Sequence, residues 1–203
     1  MKNKKKALEV ISQKLKGIKW IIFSGTAIEI YTNGKREGDD IDILVPWDKI
    51  DEVAKRFDTT PKLRTFKKGH IDFINDHYAK TVIDGIQVEI LGKTEKIIIN
   101  GKECKILQSL AKSFSKRGMK KRYLGVNIFV DRVEEIIASK MVLDRPEDLK
   151  DEKDINLLLK EKNIKIDKKY LICALGKWDV SKDQQEYFFK KFNLCKRVNL
   201  LGD

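Results

Sequence analysis

The chain has 203 residues, enough for one domain of ordinary size, and 41% of them are hydrophobic, which is ample for a core. Its three cysteines are widely spaced and form no Cys-x-x-Cys pair, which argues against a disulfide scaffold or a structural zinc site, and no apolar run approaches the ~20 residues of a membrane span. The net charge of +12, from 43 Lys and Arg against 31 Asp and Glu, points to a polyanionic partner such as nucleic acid or nucleotide phosphates; a lysine-rich solvated surface is the plainer alternative.

The N-terminus is basic but no apolar segment of signal-peptide type follows it, so a cytoplasmic protein with reduced thiols is expected. Residues 4–17 are predicted to form an amphipathic helix: Ala7, Val10, Ile11, Leu15 and Ile18 keep a helical period, lysines fill the other face, and Gly17 suits the helix end. Trp20 to Phe23 is a short apolar run that reads as a buried strand. Ser24-Gly25-Thr26 is a turn in which Gly25 lets the backbone approach a ligand with no Cβ in the way, and Ser24 or Thr26 is placed to cap a helix running to Tyr31. Asn33-Gly34 ends that helix. Lys35 and Arg36 lie in the following loop, either touching a phosphate or merely solvated. The next strand is Asp40-Ile41-Asp42-Ile43-Leu44-Val45, closed by Pro46. Side chains alternate across a strand, so Asp40 and Asp42 share one face, ~7 Å apart, with Ile41 and Ile43 on the other. Such a pair suits divalent metal ions, and the preceding turn and helix N-terminus suit a phosphate.

A helix is predicted over 47–57, where Ile50, Val53, Ala54 and Phe57 share a face. Strands are predicted at 63–66, 70–74, 80–83, 86–91 and 96–100, with Asp84-Gly85 and Asn100-Gly101 as hairpin turns. Glu89 falls on the 86–91 strand between apolar neighbours. His70 and Asp72 form either an acid–base or metal pair or, more simply, a packed strand pair. Together these elements predict an α+β fold, a mixed β-sheet flanked by helices with a helical region at the C-terminus.

The order of a Ser-Gly turn, a helix, Asp40-x-Asp42 on a strand and an acidic residue on a later strand resembles the signature of the DNA polymerase β-like nucleotidyltransferase superfamily. Val82 to Gly92 looks like the matching strand pair of its small stand-alone prokaryotic members, and the resemblance covers roughly residues 18 to 100. Two glycines or Gly-Ser is the usual form of the turn, where this chain has Ser-Gly-Thr. The resemblance implies that Ser24, Gly25 and Thr26 bind the phosphates of an NTP, while Asp40, Asp42 and Glu89 are catalytic and hold two Mg2+ ions. It implies transfer of a nucleoside monophosphate to an acceptor by two-metal catalysis. The acceptor stays open between a small molecule, a protein side chain and an RNA end. Two alternatives share the fold, a toxin of a toxin–antitoxin pair acting on tRNA and a non-catalytic nucleotide- or RNA-binding protein.

Residues 112–122 are the most basic stretch, with Lys112, Lys116, Arg117, Lys120, Lys121 and Arg122 and no acidic residue. With Phe114 and Tyr123 interleaved it reads as a mobile phosphate-tracking loop for RNA or another anionic acceptor, or as a solvated linker. Helices are predicted over 131–143, 146–160, 168–175 and 182–198. Lys140 and the run Lys150-Asp151-Glu152-Lys153-Asp154 resemble the helical region that faces the cleft in small-molecule and abortive-infection nucleotidyltransferases, which implies that Lys140 meets phosphate. Asp151 and Asp154 then either position a substrate or simply decorate an exposed helix. Phe188, Phe189, Phe192 and Leu194 form core or an oligomer face. The expected organisation is a nucleotidyltransferase-like core over 1–108, followed by a basic loop and helical region over 109–203.

Overall fold

A computed structural model of the chain describes residues 2–104, 117–143 and 149–194. The elements are α1 (Lys2–Lys14), β1 (Ile21–Ile22), α2 (Ser24–Tyr31), β2 (Asp40–Leu44), a 3-10 turn (Trp47–Lys49) leading into α3 (Ile50–Arg56), β3 (Lys62–Lys68), β4 (Ile71–Ile83), β5 (Ile86–Ile99) and β6 (Lys102–Cys104). Then follow β7 (Gly118–Tyr123), β8 (Val126–Asp131), α4 (Val133–Leu143), α5 (Lys150–Lys160), α6 (Lys168–Lys177) and α7 (Lys182–Lys191). One mixed sheet carries the fold, in the order β3-β4-β5-β2-β1-β8-β7, with β6 on β5. β2 runs parallel to β5 and β1 parallel to β8; the other pairs are antiparallel. This is the expected α+β architecture.

Alternation sorts the central strands into two faces. Ile41 and Ile43 on β2, Val88 and Ile90 on β5 and Ala79 on β4 are fully buried together. Helix α1 packs against β4, β5 and β8, and its stripe of Ala7, Leu8 and Ile11 is fully buried. The other face of the same strands carries Asp40, Asp42, Gln87 and Glu89, so a single alternating pattern makes a core on one side and a polar surface on the other. Helix α4 packs against α2, α5 and α6, bringing the C-terminal helices to the sheet. Phe188, Phe189, Phe192 and Leu194 are buried, which makes them core of this chain.

The hairpins follow their turn chemistry. Asp84-Gly85 and Asn100-Gly101 both take positive φ at both positions (51° and 79°, 50° and 78°), the requirement of a type I′ turn. A third turn, Leu124-Gly125 (49° and 84°), joins β7 to β8; leucine seldom adopts the left-handed region, so the sequence hid it. Two predicted breaks are absent. Residues 71–83 form one strand and 86–99 another, because Asn75 at φ 50° and a bulge between Asp76 and Tyr78 absorb the irregularity without ending the ladder. The basic stretch is also different from a loop over its described part. Arg117 is buried against Asp131, and residues 118–123 are an edge strand, while 112–116 lie outside the described residues. Among the described residues no helix is long and apolar enough to cross a membrane.

Helix α3 reaches β5 at Gly92, where an added Cβ would stand 2.7 Å from the Ile50 Cβ. Neither atom is the end of a flexible side chain, so the helix must shift. Gly92→Ala should lower unfolding free energy by about 1–3 kcal/mol with an unchanged denaturant slope. A denaturant midpoint equal to that of the parent chain contradicts this close approach.

Candidate active site

The site begins where β1 ends. The Phe23 amide donates to the Asp42 carbonyl oxygen (3.1 Å), tying the two strands at their ends. The next residue, Ser24, takes φ 57°, a left-handed conformation that costs a non-glycine residue of order 1 kcal/mol or more. That twist starts α2 at once, at Ser24 itself. Neither expected cap is used: Thr26 Oγ1 donates instead to the Asp40 carbonyl oxygen (2.8 Å), and the Ser24 hydroxyl bonds to the Asp42 carboxylate. The first-turn amides of α2 have no acceptor within the helix, and its first turn carries no acidic side chain. The turn therefore presents N–H groups and the positive end of a helix dipole.

Asp40 and Asp42 stand on the polar face of β2, and Glu89 is the cross-strand neighbour of Asp42 on β5. Burial, then the charges of Asp40 and Glu89, push the Asp42 carboxyl up to about 6, against relief from the Ser24 hydrogen bond and the Lys68 charge. Glu89 has opposite surroundings. Burial pushes it up, but Arg64 Nη2 (2.5 Å) and Lys80 Nζ (3.0 Å) outweigh this and hold its carboxyl below the usual range. Among the described residues no three His, Cys, Asp or Glu side chains are close enough together to hold a metal ion. The donor set nevertheless fits a hard divalent cation: two carboxylates share the face of one strand, and the crowding of negative charge on Asp42 is what a bound cation relieves. Glu89 is in register to join them but its oxygens are turned to Arg64 and Lys80.

Arg36 crosses the turn. Its guanidinium fills the space that a Cβ on Gly25 would take, so only glycine admits it there. Arg36 Nε donates to Asp154 Oδ1 (2.9 Å) on α5. Lys140, 5% exposed, pairs with both Asp154 (2.8 Å) and Asp151 (2.9 Å). The structure thus places Lys140 inside a buried cluster of two cations and two carboxylates, with Arg36 as the member that reaches the turn. Asp151 and Asp154 are buried parts of that cluster rather than ornaments of an exposed face. Lys35 pairs with Glu161 instead (2.5 Å). Behind the site, Lys4 is buried and donates to Glu29 (2.6 Å) and to the Gly38 carbonyl oxygen (2.7 Å), fixing the loop that enters β2. Nothing in the lysine-rich start of the chain singles out Lys4; only its helical phase, three residues before Ala7, puts it on the inner side.

A cleft of about 700 Å³ opens here, lined by Arg36, Asp40, Gln87, Lys150, Lys153 and Asp154 among others. His70 lies elsewhere, in the turn between β3 and β4, beside a separate cavity of about 430 Å³ walled by Trp178 and Tyr187. His77 faces Glu95 (3.5 Å). Neither histidine joins the carboxylates.

The sequence matches no protein-family model and no curated protein significantly. Solved structures do match. An antigenic nucleotidyltransferase-like protein from Paracoccidioides brasiliensis aligns at TM-score 0.53 and 15% identity, over 97% of this chain and 94% of its own. ANT(2'')-Ia, solved in complex with adenylyl-2''-tobramycin, aligns at TM-score 0.52 and 13% identity, over 87% of this chain and 97% of its own. At such identities the likeness is one of fold, and the fold is that of the nucleotidyltransferases.

Because the Asp42 carboxyl is raised, its protonated form is favoured in the folded chain, so its contribution to stability is full below pH ~4 and lost as pH rises through about 6. Asp42→Asn removes that penalty. In metal-free buffer it should stabilise the chain by about 2 kcal/mol at pH 8 and by nothing at pH 4. Urea unfolding at the two pH values checks this; a pH-independent difference contradicts it.

Proposed function

We propose that this protein transfers a nucleoside monophosphate from an NTP to an acceptor hydroxyl. The observation that carries the reading is the meeting of four features on one sheet face: the Asp40–Asp42 pair, Glu89 in register beside it, the open helix N-terminus at Ser24–Gly25, and Arg36 lying across that turn.

In this reading the triphosphate lies over Ser24, Gly25 and Thr26, whose amides supply donors to its oxygens. Arg36 pairs with a non-bridging oxygen, and its aim is set by Asp154. Lys140 holds Asp154 in place, which makes it a positioning residue for the phosphates rather than a direct contact. Two Mg2+ ions held by Asp40, Asp42 and Glu89 would neutralise phosphate charge and acidify the acceptor hydroxyl. Glu89 takes the hydroxyl proton as the acceptor oxygen bonds to the α-phosphorus and pyrophosphate departs. For this its carboxylate exchanges at least one of its bonds to Arg64 and Lys80, so substrate binding and base activation are coupled in the same residue.

The test is incubation of the purified protein with each α-labelled NTP, Mg2+ and total RNA, with acceptor products resolved by size. Label should appear on an acceptor and fall at least 100-fold in Asp40→Ala. Arg36→Ala should raise the KM for NTP about tenfold with a smaller effect on kcat, as expected when one charged partner of the phosphates is removed. Label transfer that survives Asp40→Ala contradicts the assignment.

A further inference from the structure

The polar face does not end at Glu89. It continues across β4 to β3, away from the Ser24–Gly25 turn, because the sheet order is β3-β4-β5-β2-β1. Cross-strand register puts Lys80 opposite Glu89 and Arg64 opposite Asp76. Arg64 is a built feature rather than a loose surface side chain. Its Nε donates to Asp76 Oδ2 (2.8 Å), Asp76 is 1% exposed, and the other Asp76 oxygen accepts from Thr94 Oγ1 (2.7 Å). So held, the guanidinium lies over the rings of Tyr78 (4.2 Å to the centroid) and Phe66 (4.6 Å). Phe66 in turn stacks on Phe73 at 4.8 Å and 7°. Lys80 stands beside them, 45% exposed, with its ammonium 5.8 Å from the Tyr78 centroid.

This strip alternates planar π surfaces with fixed cations, and it leads onto the third carboxylate. None of its members is needed to hold a triphosphate, which the Ser24–Gly25 turn and Arg36 serve from the other side of β2. Resting on the nucleotidyl-transfer reading, we propose that the strip is the acceptor subsite, and that its occupant is the end of a single-stranded polynucleotide. An arriving backbone phosphate draws Arg64 off the rings of Tyr78 and Phe66, a base stacks on the ring faces so freed, and Lys80 pairs with a second phosphate. Arg64 on β3 and Asp42 on β2 are three strand spacings apart, ~14 Å, which leaves room for the terminal nucleotide between the stacked base and the carboxylates. The terminal hydroxyl oxygen attacks the α-phosphorus of the NTP, the bond from that phosphorus to the bridging oxygen breaks, pyrophosphate leaves, and the hydroxyl proton passes to Glu89. Arriving phosphates compete with Glu89 for Arg64 and Lys80, so the occupant itself releases the carboxylate it needs.

Fluorescence anisotropy with a short mixed-sequence 5′-fluorescein RNA tests this, in EDTA and without NTP so that the result does not depend on catalysis. The parent protein should bind the RNA with marked salt dependence. The Arg64→Ala/Lys80→Ala double variant should weaken binding at least tenfold and reduce the salt slope by one to two units, about 0.7 for each phosphate left unpaired. Phe66→Leu keeps apolar bulk but removes the ring, and should weaken binding about fivefold at an unchanged slope. Lys80→Ala alone, at an exposed position, guards against loss of folding in the double variant and should lower the slope by about 0.7. Affinity and slope unchanged across these variants overturn the proposal. So does absence of RNA binding by the parent protein, including the case where label appears on a polypeptide. RNA binding that follows the expected pattern in a protein with no metal-dependent NTP affinity upholds the strip and overturns the catalytic reading beneath it.

Discussion

Negative charge packed against itself on a half-buried sheet is the constraint on which the rest of the site depends. Asp40, Asp42 and Glu89 stand on adjacent strands, and Asp42 feels both of the others. In water such charges would barely interact, but on a sheet face with a dry core beneath it burial, and then their mutual repulsion, push the Asp42 carboxyl up to about 6. The chain answers with cations of two kinds. Arg64 and Lys80 meet Glu89 directly. Arg36 is held by Asp154 at the other side of the cleft and lies across the turn, while Lys140 stays buried between Asp151 and Asp154. The aspartate pair is thereby left as the concentrated negative charge of the cleft, the condition under which a divalent cation binds.

The same constraint explains why elements distant in sequence are bolted to the site. Lys4 comes from the first helix and Asp154 from α5, and they fix the loop that carries Arg36 to Asp40 at Gly38 and at Arg36 itself, while Tyr123 from β7 bonds to α2 at Glu29. Tyr123 and Lys4 both bond to Glu29, so α2, α1 and β7 are joined through one carboxylate below the turn. Leaving such a buried charge without its partner costs about 3–5 kcal/mol, which gives these contacts weight in placing the site even though a buried pair adds little net stability.

Much of the central architecture was legible in the chain because its signals are local. Asp40 and Asp42 alternate with Ile41 and Ile43, and this decides both strand and face. Asp84-Gly85 fixes the hairpin that brings β5 back, and the register then sets Glu89 beside Asp42. What escaped was decided by distant partners. Asn75 looked like a break, yet the ladder of β5 carries the strand through it. Arg117 looked like part of a mobile basic loop, yet Asp131 buries it. Arg64 carried no signal at all, since nothing near it in the sequence announces Asp76, Tyr78 and Glu89 as its neighbours. Arg36 was seen as a loop cation, but only the folding of α5 against the turn distinguishes it from Lys35.

The claim at the centre is that Asp40 and Asp42 hold a cation that in turn holds an NTP. Isothermal titration of Mg2+ and a non-hydrolysable NTP analogue into the parent protein and into Asp42→Asn measures it most directly. The account predicts NTP binding that requires Mg2+ in the parent protein and is weakened at least tenfold in Asp42→Asn, with a folded, more stable variant. Equal, metal-independent affinity in the two proteins would contradict it.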